Sequence, residues 1–148
     1  QRQMCIRDSY GGSHPFTLAS KELGTIEEGY LKGFIDLFFF ADNKFWILDY
    51  KTNKVADYSN CDTPEDTNNA LLLSIAQNHY YLQYLIYLVA IKRYLEQFIN
   101  ITQATEILGG AIYYYVRGVY VSDKLIAGGV YLDTTCKEVV AELDNLFL

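Results

Sequence analysis

YLKGFIDLFFFADNKFWILDYK, running from Tyr30 to Lys51, is the stretch on which the fold turns. Tyr30 to Phe40 is aromatic and β-branched, too rich in Phe and Ile for a surface loop, and reads as a strand. Phe45 to Lys51 reads as a second. The four residues Ala41-Asp42-Asn43-Lys44 between them are a short Asp-Asn connection, so the pair is expected to form a β-hairpin. Side chains alternate faces along a strand, which sets Phe45, Ile47, Asp49 and Lys51 on one side and Trp46, Leu48 and Tyr50 on the other. On the first strand, Asp36 is expected to share a face with Phe34 and Phe38. Carboxylates among apolar neighbours are costly unless paired or bound to metal. Two on adjacent strands with a lysine beside one make a hard-oxygen site suited to Mg²⁺. The alternative is an Asp–Lys ion pair that merely completes the hairpin.

Outward from the hairpin, Pro15, Phe16 and Leu18 suggest an earlier short strand, and the polar run from Asn53 to Asn69 reads as a loop. Ala70 to Phe98 lacks Gly and Pro and is dense in Leu, Ile and Tyr. It predicts one long helix, or two with a kink, capped by Asn68 or Asn69. After Gly109-Gly110, Ala111 to Val116 reads as a buried strand that Arg117-Gly118 ends. Val130 to Leu132 is a further short strand. A helix from about Thr135 to Phe147 closes the chain, with Thr134 or Thr135 as its cap. Strands, long helix, strand and helix in this order suit an α/β core with a mixed sheet flanked by helices.

The 148 residues fit one domain, and 51% hydrophobic with 20% charged is globular composition. A net charge of −6 argues against binding nucleic acid through the whole surface, although carboxylates that hold metal add negative charge of their own. Cys5, Cys61 and Cys136 are odd in number and show no metal-ligand spacing, which points to a reducing cytosol. Leu82 to Ile91 is too short to span a bilayer, so no membrane association is expected. Gln1 to Ser9 (QRQMCIRDS) resemble translated sequencing-adapter sequence. They are read as a non-native leader, with the domain proper at residues 10–148 and a natural protein that continues upstream.

Gly33-Phe34-Ile35-Asp36, then Asp49-Tyr50-Lys51, then Gln83 with Tyr87 form an ordered set. It resembles the G-x-I-D, D-Y-K and Q-x-x-x-Y elements of the RecB nuclease family, within the PD-(D/E)XK superfamily. The flanks YYLQYLIYLVAIKRYL (Tyr80 to Leu95) and GGAIYYYVRG (Gly109 to Gly118) agree with it, as does the ending through Val130-Tyr131 to Phe147. The resemblance covers about Pro15 to Phe147. It implies a restriction-endonuclease-like core and a Mg²⁺-dependent DNA nuclease of exodeoxyribonuclease V type. Asp36, Asp49 and the Tyr50 backbone carbonyl would hold the metal, and Lys51 would activate water and stabilise charge on the phosphate. Gln83 and Tyr87, four apart on one helical face, would support the site or contact DNA. A helix amide bonded to a neighbouring loop is the plainer role, and for Tyr87 nearly an equal one. Arg117 is a candidate phosphate contact or an anchor for the last helix.

The family also has an upstream helix with a histidine that completes the metal site. His14 does not match it, so the first helix is expected to be missing and the chain to be weak or inactive by itself. His79 reads as a surface residue of the helix rather than a general base. The tyrosines from Tyr113 to Tyr115 read as core, with one ring free for stacking. The resemblance further implies a bacterial cytoplasmic helicase–nuclease that repairs double-strand breaks, with DNA, RecC-like and RecD-like subunits as partners. ATP would be used only by a motor region outside this chain, since no phosphate loop is present. A competing reading is a catalytically inactive nuclease-like scaffold. An iron–sulfur nuclease is excluded, because its cluster needs four cysteines.

Overall fold

The computed structural model describes residues 33–55, 61–121, 126–134 and 136–145. The leader, the strand at Pro15 to Leu18, His14, Thr135 and Phe147 lie outside them. Four strands and four helices are described: β1 (Leu37–Ala41), β2 (Lys44–Lys51), α1 (Pro64–Gln77), α2 (Tyr80–Leu95), α3 (Ile101–Glu106), β3 (Leu108–Val121), β4 (Ile126–Asp133) and α4 (Lys137–Asp144). The sheet runs β1-β2-β3-β4; β1–β2 and β3–β4 are antiparallel, while β2–β3 is parallel. The mixed α/β core expected above is therefore observed.

The hairpin forms as expected because Asp42 and Asn43 take φ values of 51° and 57°. Both are left-handed, as a two-residue type I′ turn requires, and Asp and Asn tolerate that region better than most residues. The turn sets Leu37 opposite Leu48 and Phe40 opposite Phe45. Parallel pairing then aligns Asp49 with Tyr113 and Lys51 with Tyr115. One sheet face carries Ile47, Asp49, Lys51, Ala111, Tyr113, Tyr115 and Tyr131, all buried, and the core residues of α1, α2 and α4 join the same cluster. Tyr115 Oη donates to Ser74 Oγ of α1 at 3.2 Å, and Tyr84 Oη of α2 donates to Asp133 Oδ2 of β4 at 2.6 Å. On the opposite face Tyr50, Val130 and Leu132 are about half exposed.

Several boundaries differ from expectation, among them β4, which begins at Ile126 rather than Val130, and α3 is a helix that was not expected. The helical region begins at Pro64 rather than Ala70. Thr63 is its N-cap, and Thr63 and Asp66 complete a capping box. Proline at the first helical position needs no amide partner, so the polar run is not all loop. The helix breaks at His79, whose φ is 54°, which resolves the choice between one helix and two in favour of two. β3 does not end at Arg117-Gly118. It continues to Val121, with a register irregularity against β4 between Tyr114 and Val119. Gly118 and Gly129 let the two backbones close there: a Cβ on Gly118 would sit 2.8 Å from the Gly129 Cα. The N-cap of α4 is Cys136, with no side-chain cap bond, in place of a threonine.

Candidate active site

Asp49 and Lys51 lie at the end of β2, two residues apart and so on one face. Each is only 8% exposed, and alternation has carried both charges into the core. The Lys51 ammonium lies 2.5 Å from Asp49 Oδ2. It also donates to Gln83 Oε1 at 2.8 Å, and Gln83 Nε2 donates to Tyr87 Oη at 3.0 Å. The Q-x-x-x-Y spacing thus acts as an i,i+4 pair on α2 that reaches down onto the hairpin. The Gln83 amide is satisfied by Lys51 and Tyr87, not by a loop. Tyr87 in turn packs on Gly33, where any Cβ would come within 2.5 Å of its ring. The glycine and tyrosine of two separate motifs are in direct contact.

Asp36 precedes β1 at the same end of the sheet; one step past the Leu37–Leu48 pair would set it opposite Asp49. It is exposed, as is Phe34 at 76%, so the apolar enclosure expected for Asp36 is not found. The reason is that β1 starts only at Leu37, beyond the bend that turns Asp36 out. Its Oδ2 accepts the Tyr50 backbone N–H at 2.9 Å, which ties this carboxylate to β2. Burial raises the Asp49 pKa above the usual carboxylate value; Lys51 opposes this and the negative charge of Asp36 adds to it. Asp49 therefore feels the charge of Asp36.

Two residues to which the sequence assigned no part in the site join the group. Tyr80, in the first turn of α2, places its ring 4.0 Å from Lys51 Nζ, and Tyr113 on β3 places its ring 4.6 Å away. A buried cation over aromatic faces gains about 2 kcal/mol. The signal was available in the spacing: Tyr80 lies one turn before Gln83, and Tyr113 is on the inward side of its strand. Burial, then the Asp49 charge, push the Tyr113 phenol far above its ordinary value, so it remains a proton donor. Tyr115 is fully buried, while Tyr114 is part-buried, its ring edge-on to the half-exposed Tyr50. Arg117 is exposed on β3, two residues past the Tyr115 that pairs with Lys51, hence at the same end of the sheet. His79 is exposed at the helix break, its Nδ1 3.3 Å from Tyr81 Oη.

Carboxylates at one strand end are the hard oxygen donors that Mg²⁺ takes. Among the described residues no group of three or more His, Cys, Asp or Glu side chains is placed to hold a metal ion. Asp36 and Asp49 fit as two donors of a shell that main-chain oxygen and water would have to complete. No helix among the described residues is long and apolar enough to cross a membrane.

No family model matches the chain. Among curated proteins it is similar to "RecBCD enzyme subunit RecB" of Haemophilus influenzae, 32% identical over 124 residues, 81% of this chain and 9% of that protein. The same-named protein of Escherichia coli is 33% identical over 119 residues, 80% of this chain and 10% of its own length. That of Borreliella burgdorferi is 42% identical over 93 residues, 62% and 7% respectively. The chain spans a tenth or less of the length of these relatives.

Proposed function

The chain is a region of the RecB family, and from that premise we propose that the shared end of β2 and β3 is a Mg²⁺-dependent DNA phosphodiesterase centre of PD-(D/E)XK type. The observation that carries the reading is the buried Lys51 ammonium, held between Asp49 and Gln83 at the strand end that Asp36 also occupies. Asp36, Asp49 and the Tyr50 carbonyl would hold the ion. When bound, Mg²⁺ supplies acidity to water and polarises a phosphoryl oxygen. Lys51 presents fixed positive charge to the anionic transition state, which is worth most where water is excluded. Gln83 orients that ammonium and Tyr87 orients Gln83. Arg117 would meet a phosphate of the bound strand. The parent would be a bacterial cytoplasmic helicase–nuclease of exodeoxyribonuclease V type that processes broken DNA ends with RecC-like and RecD-like subunits.

One observation favours a second reading: Lys51 already neutralises Asp49, as it would in an inactive scaffold whose ion pair is structural. A single experiment separates the two. In the full-length helicase–nuclease, Asp36→Ala, Asp49→Ala and Lys51→Ala should each lower Mg²⁺-dependent cleavage of linear duplex DNA by roughly 10²-fold or more. ATP-driven unwinding should persist in all three. Equal loss of unwinding, or cleavage that survives the substitutions, overturns the catalytic reading.

A further inference from the structure

The Lys51 ammonium meets four groups from three elements: Asp49 on its own strand, Gln83 and the Tyr80 ring on α2, and the Tyr113 ring on β3. The two rings lie 5.5 Å apart, tilted by 42°. Tyr113 Oη is 2.9 Å from the Tyr80 carbonyl and 3.1 Å from Gln83 Oε1, and donates toward both. One phenol thus ties together the other two α2 groups that touch the lysine. Only the Asp49 contact uses an oxygen that a metal ion would also claim.

We infer that Tyr80 and Tyr113 are positioning residues, a two-ring cradle that keeps the Lys51 ammonium in place when Asp49 turns to another cation. The purpose assigned to the cradle rests on the nuclease reading above; its geometry does not. A lysine is a point charge on a flexible four-carbon stem, and a competing cation on the carboxylate it pairs with would ordinarily free it. Ring faces attract the ammonium through their quadrupoles and offer a metal ion no lone pair. Gln83 Oε1 sets the direction of the ammonium, and the rings close off its other sides. The cradle therefore lets one carboxylate serve the metal without loss of the lysine.

The test is an NMR measurement on the whole 148-residue chain, with the ε-methylene protons of Lys51 as reporter. Ring currents should move them upfield of exposed lysines. The upfield position should survive Asp49→Asn, shrink in Tyr80→Leu, where the Tyr113 ring alone remains, and return in Tyr80→Phe, which loses the long 3.4 Å bond to Asn53. In the full-length enzyme, Tyr80→Leu should lower kcat by roughly 10²-fold at unchanged KM, and Tyr80→Phe should recover most of it. A Lys51 signal that collapses to the exposed-lysine position in Asp49→Asn overturns the inference, because the ion pair alone would then hold the lysine. This arm leaves both rings intact, so it decides the matter even where Tyr80→Leu does not fold. Lys51→Ala separates the two claims: cleavage that survives it removes the nuclease reading and leaves the cradle standing. Cleavage lost in Lys51→Ala, with no upfield shift in the unsubstituted chain, removes the cradle and leaves the reading.

Discussion

Gly33 shows how tightly single residues are specified around the candidate site. A Cβ there would lie 2.5 Å from Tyr87 Cε1 and 2.7 Å from its hydroxyl. That hydroxyl is the acceptor for Gln83 Nε2, and Gln83 holds Lys51. Gly33→Ala is therefore expected to destabilise the chain by about 1–3 kcal/mol through overpacking, as the Tyr87 ring must swing away. In a Tyr87→Ala background the same change should be close to neutral. Urea unfolding of the two single variants and the double variant measures the coupling; a Gly33→Ala cost that is the same in both backgrounds would show that the contact is not the cause. Several of these residues were legible in the sequence because alternation and i,i+4 spacing are local rules. Asp49 and Lys51 share the face that strand period two predicts, and Gln83 and Tyr87 meet as helix period 3.6 predicts. The contact of Tyr80 and Tyr113 with Lys51 was not legible because it depends on β2 and β3 running parallel, a pairing of residues 64 apart in the chain. The exposure of Asp36 escaped for a local reason, the bend before Leu37.

At the scale of elements, α4 is fastened to α2 by charge. Lys92, 5% exposed, lies 2.5 Å from Asp144 Oδ2, and Arg93 Nε lies 2.5 Å from Asp144 Oδ1. Burial alone would raise the Asp144 pKa, but Lys92 and Arg93 together hold it below its ordinary value. For Lys92, burial works downward and is outweighed by Asp144 and Glu96, which leaves the pKa raised. The Asp144 contribution to stability is thus intact above pH 3.8 and is lost as the pH falls below that through the lowered native value. The Lys92 contribution is intact below pH 10.5 and is lost as the pH rises through the raised native value. Asp144→Ala should cost about 3 kcal/mol, at the lower end for a broken buried pair because Glu96 still faces Lys92. Urea midpoints against pH should show a weaker acid limb in Asp144→Asn than in the unsubstituted chain; identical limbs would refute the assignment. The sequence showed that helices lie here but not their ends. Proline, aspartate and asparagine after Thr63 resemble a loop until the capping box is recognised, and Gly118 resembles a strand end until Gly129 is seen against it.

For the whole molecule, charge decides what the chain can do to DNA unaided. It carries 12 Lys and Arg against 18 Asp and Glu, a net of −6. Of the cations, Lys51, Lys92 and Arg93 are already engaged with carboxylates, and Lys44 donates to the Glu106 carbonyl. Affinity for duplex DNA comes chiefly from cations that displace counterions from phosphates, and each contact adds about −0.9 to the slope of log K against log salt. With the exposed Lys54 and Arg117 as the contacts on offer among the described residues, one or two phosphate contacts give a slope of about −1 to −2. Between 50 and 200 mM salt its affinity for a linear duplex should fall only about 3- to 12-fold, against 10³-fold or more for a protein with a basic groove. The chain would then depend on DNA delivered to it by other parts of its parent, and the candidate site would act at high local concentration rather than by capture. Fluorescence anisotropy of a labelled duplex over that salt range, in Ca²⁺ to prevent cleavage, measures both slope and affinity. Nanomolar binding with a slope of −5 or steeper would show a phosphate-binding surface that the charge count conceals, and would overturn the dependence on the parent.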